Sequence, residues 1–397
     1  MNADHVSDLL IQMSYSSVFK YMPIRLVKKE LKRFHLLSER KRKLPAESIV
    51  YLVIMLAIYA EVSINENLRK MLAPIRRRLG IDNSKVPVSS AVVKARKRLG
   101  FEPLKRLFEL ICKTSDSNDI KDCYWKSYLK VAVDGTKRDV QNTKENFDYF
   151  GSSSNQHGTV KQAKLKAVAL MQCTAKFFFA VGVGSYKTSE QALFRRIMNK
   201  LDKTMLLFAD RIYFNYKLWQ ESSERAGALI WRMKAGNRVK RIQTLPDGSY
   251  LAEFRPSPKI REKYPETQGT KFIARIIEFY AVFRDGTKSE KIRLVTTILS
   301  ETEATAQEIA EVYPERWLIE EGFSELNARL GSKDKILRSQ LPELVLQEFY
   351  GFMIAHYIVR LMMLESAKIN KLSPNELSFT HSLNVIKRNI AFFPCTE

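Results

Sequence analysis

Apolar positions recur at helical spacing from Phe19 to about Thr114, then give way to short β-rich runs from Tyr128 onward. The first zone contains the basic segment RLVKKELKRF, an apolar run after Pro45, and a stretch from Ser63 through Arg78 whose charges lie between apolar positions. This pattern predicts an all-α amino-terminal region. Its longest apolar stretch, Ile49 to Ala60, falls short of the roughly 20 residues that span a bilayer, so it predicts a buried helix. Ser89 to Phe108 predicts two helices joined around Gly100. Their Lys94, Arg96, Lys97, Arg98, Lys105 and Arg106 suit either a DNA backbone or an ordinary solvated face.

The runs YLKVAVDGT, LKAVALMQCT and KFFFAVGVGS predict strands, a helix is expected from near Ser189, and MLLFAD predicts a further strand. Strands followed by a crossover helix and another strand imply an α/β sheet. Functional residues gather at strand ends in such sheets, and Asp134 and Asp210 are expected at two carboxyl ends. ALIWRMKAG, SYLAEFRPS, KFIARIIEFYAVFR and KIRLVTTIL are also β-like, with turn signals at Pro246-Asp247-Gly248 and Asp285-Gly286. They predict a β-rich insertion whose last strand returns to the main sheet. Helices then resume. Ser300 with Glu303 resembles a capping box opening a helix through Ala310, and Pro314 suits the first turn of the next helix.

Charge narrows the class of partner. Sixty-six Lys and Arg against forty-three Asp and Glu give a net charge of +23, and the sequence pI is about 9.7. Such a field concentrates polyanions through salt-sensitive contacts, which favours nucleic acid, and with no stretch long enough to span a bilayer no membrane partner is expected. The polar start MNADHVSDLL shows no secretory signal, and Cys112, Cys123, Cys173 and Cys395 form no close pair. Reduced thiols in a cytoplasm are therefore expected. None of the five histidines pairs with another at metal-ligand spacing, so carboxylates must hold any metal.

The next helix carries the candidate chemistry. Tyr313, Arg316, Glu320 and Asn327 project from nearly one face if that helix is continuous. A carboxylate beside a guanidinium suits a metal-bound phosphate, one holding the cation and the other the phosphate oxygens. The plain alternative is a helical ion pair worth about 0.3 to 0.5 kcal/mol. Asp134 and Asp210 tip the balance toward divalent-metal phosphodiester chemistry. Trp231 is the candidate for stacking on an extruded base, with Arg232, Lys234 and Arg211 as neighbouring DNA contacts; a core Trp is the alternative. Trp317 is expected to pack under the site, and Gly182 and Gly184 to mark a turn rather than a phosphate loop.

The ordered set DGT, ADR and Y-x-x-R-x-x-x-E resembles the insertion-sequence-four family of bacterial DDE transposases. RKRKLPAESIVYLVIMLAIY is similar to that family's amino-terminal helices, and ILRSQLPELVLQEFYGFMIAHYIVR to its carboxyl-terminal ones. The resemblance implies an α/β, ribonuclease-H-like catalytic core interrupted by a β-rich insertion. The expected division is a helical DNA-binding domain at 1–120, core at 121–224, insertion and return strand at 225–299, catalytic helix at 300–340, and carboxyl-terminal helices at 341–397. It further implies that Asp134, Asp210 and Glu320 hold two Mg²⁺ ions, replaceable by Mn²⁺, with about 3.5 to 4 Å between the ions. Tyr313 and Arg316 match the positions associated with holding the DNA terminus beside a flipped base. Cleavage at terminal inverted repeats, a DNA hairpin, transfer to target DNA, and a homodimer pairing two ends follow, in a bacterial, nucleoid-associated protein. One position departs from the signature: Asn327 stands where the family has lysine, with Lys333 and Lys335 the nearest substitutes. A terminal-repeat-binding relic and a metal-dependent nuclease without strand transfer are the alternative activities.

Overall fold

A computed structural model describes residues 20–37, 44–61, 88–117, 119–152, 162–234, 236–237, 239–281, 287–331 and 336–389. Helices α1 (Ile24–Arg33), α2 (Ala46–Ile58), α3 (Ser89–Leu99) and α4 (Glu102–Ile111) come first. The α2 sequence is apolar on all sides, so it can only be stable inside, and all but Glu47 of its residues are buried. Gly100, with φ of 68°, ends α3 and turns the chain into α4, as the spacing predicts. The run from Ser63 to Arg78 lies outside the described residues.

Strand β1 (Tyr124–Trp125) leads into β2 (Tyr128–Val140), α5 (Lys144–Phe150), β3 (Lys164–Gln172) and β4 (Phe177–Ser185). Then come α6 (Glu190–Arg195), capped by Ser189, β5 (Met205–Ala209), α7 (Tyr216–Ser223) and β6 (Ala228–Met233). Next are β7 (Lys240–Thr244), β8 (Tyr250–Phe254), α8 (Pro258–Lys263), β9 (Phe272–Phe279) and β10 (Ile292–Thr296). Helix α9 (Ala306–Val312), a 3₁₀ turn (Tyr313–Trp317), α10 (Leu318–Ser324) and a π turn (Glu325–Arg329) follow in one continuous rod. The chain closes with β11 (Ile336–Leu337), α11 (Pro342–Asn370) and α12 (Phe379–Asn389).

All the strands form one mixed sheet, ordered β4-β3-β2-β5-β6-β10-β9-β8-β7, with β1 and β11 also on β2. The β2–β5 and β5–β6 pairs are parallel, whereas β6–β10 and the strands beyond it are antiparallel. Strand β10, the last of the β-rich segment, lies between β6 and β9, and β9, β8 and β7 extend the same sheet. Strand β7 was not expected from the sequence, because its five residues are all exposed and carry no apolar alternation. The turn at Pro246-Asp247-Gly248 joins β7 to β8, with Gly248 at φ 82°; Asp285-Gly286 lies outside the described residues.

Helix α11 is buried along most of its length and packs against α2, α4 and β4, so the first and last helices share one core with the sheet. Arg96 fastens this layer: its guanidinium is buried and donates to Gln347 Oε1 at 2.7 Å, Ser339 Oγ at 3.1 Å and the Leu344 carbonyl at 3.1 Å. Arg106 ion-pairs with Glu30 at 3.6 Å and Glu109 at 3.5 Å. These two cations, expected from sequence as candidate DNA contacts, hold helices together instead, while Lys94, Lys97 and Lys105 remain exposed. Among the described residues no helix is long and apolar enough to cross a membrane.

Three local expectations are corrected. Asp134 is not at a strand end: β2 continues six residues past it, to Val140, because β3 pairs with it throughout. The capping box is formed by Thr305 and Glu308, which exchange side-chain and backbone bonds at the start of α9, rather than by Ser300 and Glu303. Gly182 and Gly184 are strand residues of β4; a Cβ on Gly182 would stand 2.6 Å from the Leu193 carbonyl oxygen, so its missing side chain lets α6 lie close on the sheet.

Candidate active site

The register of β2 against β5 brings the two aspartates together. Pairing ends at Val133↔Ala209, so Asp134 and Asp210 each follow the last paired residue on neighbouring strands, whose spacing is about 4.8 Å. Beyond that point β2 runs on without β5 beside it, which leaves an open edge.

The helical rod lies across this edge. Proline at its second position starts the 3₁₀ turn, as expected of Pro314. Arg316 Nη1 donates to Asp134 Oδ2 at 3.1 Å and Nη2 to Glu320 Oε1 at 3.1 Å. The helix thus delivers a cation between carboxylates that lie 186 residues apart in the chain. The Nε of Arg316 is buried without a hydrogen-bond partner. Burial works against the charge of Arg316, but Tyr313, Asp134, Asp210 and Glu320 around it raise its pKa.

Asp134 is pushed up to about 6, chiefly by burial, with the negative charges of Glu320 and Glu190 adding to it. The Gly135 N–H, which donates to Asp134 Oδ1 at 2.7 Å, and Arg316 work the other way. A carboxylate that resists ionisation in the absence of enough positive charge is suited to a cation. Among the described residues no three acidic, cysteine or histidine side chains are close enough to enclose a metal ion, and the Arg316 guanidinium stands between Asp134 and Glu320. The donors still fit a hard divalent ion, because all are carboxylate oxygens and those of Asp134 and Glu320 are already turned toward a positive group.

Tyr313, expected at the DNA terminus, is buried, and its hydroxyl donates to the Ala209 carbonyl at 3.3 Å. It braces the end of β5 immediately before Asp210. Asn327 lies in the π turn, and its amide donates to Thr136 Oγ1 at 3.0 Å, tying that turn to β2. Lys333 and Lys335 lie outside the described residues.

Trp231 is 0% exposed and packs edge-on against Trp219 at 5.3 Å, so the expectation of a base-stacking Trp231 is corrected: strand β6 is covered on that face. Trp317, expected underneath the site, is instead 53% exposed and lies 4.5 Å from the Arg316 guanidinium. Arg232 and Arg211 reach Glu290 at 3.0 and 3.9 Å, in exposed pairs that cost little to break, while Lys234 is exposed. Sequence reasoning missed Glu190, which touches the site from α6.

Residues 12–109 match the family model described as insertion element 4 transposase N-terminal, and residues 125–344 match the transposase DDE domain. The chain is 27% identical over 382 residues to transposase InsG for insertion sequence element IS4 of Escherichia coli (strain K12), covering 94% of this chain and 82% of that protein. It is also 20% identical over 203 residues to a protein of the same strain provisionally described as transposase InsZ, covering 50% of this chain and 64% of the other.

Proposed function

This chain belongs to the DDE transposases of the insertion element 4 family, and from that membership we propose that it binds the terminal inverted repeats of its element and cuts and joins DNA strands at the site around Asp134, Asp210 and Glu320. The observation that carries this reading is the Arg316 guanidinium held between Asp134 and Glu320, one strand away from Asp210. Asp134, Asp210 and Glu320 hold two Mg²⁺ ions in this reading, with Mn²⁺ able to replace them. When bound, the pair supplies activation of water or a 3′-hydroxyl and stabilisation of the leaving oxygen.

With cations on the carboxylates, the Arg316 Nη1 and Nη2 donors that now face Asp134 and Glu320 would be available to phosphate oxygens. Tyr313 acts from behind, fixing the strand end that carries Asp210. Trp317, exposed beside Arg316, is the aromatic positioned for an extruded base in place of Trp231. The catalytic core is read as ribonuclease-H-like, built from 121–224 and 300–340, with 225–299 as its insertion. The helices at 1–120 contact DNA through their exposed lysines, and the 341–397 helices complete the fold. A homodimer pairs two element ends, and cleavage proceeds through a DNA hairpin.

The test uses DNA carrying the flanking terminal repeats, with Mg²⁺, and resolves nicked, hairpin and joined products on a denaturing gel. Wild type should give all three, and Asp210→Ala none of them. Binding without cleavage by wild type would leave only the terminal-repeat-binding relic, and nicking without hairpin or joined product would leave a nuclease.

Asn327 is the place where this chain departs from the family's lysine. Replacing its neutral contact by a charge-assisted one gains about 1 kcal/mol, so Asn327→Lys should raise the hairpin and joined yield roughly fivefold. An unchanged or lower yield would show that the bond to Thr136 has become the function of this position.

A further inference from the structure

We propose that Glu190 is a fourth carboxylate of the cation site, acting beside Asp134, Asp210 and Glu320 in DNA cleavage; this rests on the metal-dependent reading above. Glu190 is the first residue of α6, whose N-cap Ser189 accepts from the Ala192 N–H at 3.2 Å. It lies 56 residues after Asp134 and 20 before Asp210, and no motif spacing marks it.

Its placement links the two aspartates. A Cβ added to Gly135 would stand 2.6 Å from both Cδ and Oε2 of Glu190, so the carboxylate rests on the bare backbone of the residue after Asp134. This contact gives the glycine of the DGT motif a physical reason: a side chain there would displace Glu190. On the other side, Tyr213 Oη donates to Glu190 Oε2 at 3.3 Å. The Tyr213 N–H donates in turn to the Asp210 carbonyl at 3.0 Å. Glu190 therefore bridges from β2 to the turn after β5.

Strand β5 stops pairing at Ala209, opposite Val133, and Asp134 turns its Oδ1 toward the Gly135 N–H at 2.7 Å. Among the described residues Lys166 acts on Glu190 electrostatically without a close ion pair, and Arg316 serves Asp134 and Glu320. Asp134, Asp210, Glu320 and Glu190 outnumber the cations Arg316 and Lys166 beside them, so the cluster calls for further positive charge. Mg²⁺ meets that need, because it takes oxygen ligands and keeps several waters that an outlying carboxylate can hold. Glu190 either ligates one ion directly or orients its water, and both roles support affinity.

The experiment counts bound Mn²⁺ and its affinity from the electron paramagnetic resonance signal of free Mn²⁺. It uses the full chain with its terminal-repeat DNA, as wild type, Glu190→Gln, Tyr213→Phe and Asp134→Asn. Glu190→Gln should weaken one Mn²⁺ by about 10- to 100-fold. The Mg²⁺ concentration for half-maximal cleavage should rise by a similar factor, with cleavage recovering at high Mg²⁺. Tyr213→Phe, which removes the hydrogen bond but keeps the carboxylate, should hold its Mn²⁺ affinity within a few-fold of wild type, and Glu190→Asp should restore part of the loss. Wild-type Mn²⁺ affinity in Glu190→Gln overturns the proposal even if cleavage falls, since the residue would then serve only to hold Tyr213. Equal Mn²⁺ binding by wild type and Asp134→Asn would instead remove the metal reading itself, and Glu190 with it.

Discussion

Asp134→Asn should leave terminal-repeat DNA binding within about twofold of wild type and lower strand cleavage by on the order of 10³-fold or more. The change is isosteric, and asparagine can keep one bond to the Gly135 N–H through its carbonyl oxygen. What it removes is the negative charge that faces Arg316 at 3.1 Å, and with it one hard ligand of the proposed metal site. DNA affinity depends on the exposed cations of a chain carrying +23, none of which is touched. Binding measured by mobility shift and cleavage measured on a denaturing gel separate the two effects. Cleavage equal to wild type would overturn the triad assignment, and a parallel loss of binding would mean that the change had damaged the fold.

The second large effect is on stability and comes from the π turn below the site. Glu325, which opens that turn, is 3% exposed at its side chain, and Arg360 beside it 1%. Arg360 donates to both Glu325 oxygens, Nε at 2.8 Å, and His356 Nε2 lies 3.2 Å from Oε2. Lys176 stands 3.7 Å away and also holds Glu321. Glu325→Ala would leave the Arg360 charge buried and unpaired, at a cost of about 3 to 5 kcal/mol. The denaturant midpoint should fall accordingly, and a change under about 1 kcal/mol would show that water reaches the cluster.

The same cluster sets an acid dependence. Burial alone would raise Glu325, but His356 and Arg360 hold it down at about 2. Its contribution is therefore present above the ordinary glutamate value near 4.3 and is lost as pH falls toward about 2. Burial lowers His356, whose neutral form stabilises the fold above the ordinary imidazole value of roughly 6.5 and is lost as pH falls below it. The wild-type midpoint should decline in both windows. In Glu325→Gln, the part below about pH 4.5 should flatten.

A π turn at this point separates Asn327 from the regular helix that carries Glu320. Seven residues in an unbroken α-helix would return Asn327 nearly to the face of Glu320, whereas the wider turn directs it to Thr136. The spacing of Tyr313, Arg316 and Glu320 was legible in the sequence because each step is short and helical. The change from 3₁₀ to α to π along the same rod was not, since no local spacing marks it; the π turn opens at Glu325, whose partner Arg360 lies 35 residues on.

By itself, the sequence determined the alternation of strands and helices, the basic character, the helix start at Ser189 and the order of Asp134, Asp210, Arg316 and Glu320. These follow from local periodicity, capping chemistry and composition, each carried within a few residues. Tertiary structure decided what depends on register and on which face is covered. The end of the β2–β5 pairing, rather than the end of β2, sets Asp134 beside Asp210. Packing of β6 against α7 buries Trp231, while Trp317 is left outside. The sheet and α6 together bring Glu190 onto Gly135. No local pattern contains these outcomes, because each is fixed by the contact of segments far apart in the chain, where burial and strand pairing outweigh the preference of any single residue.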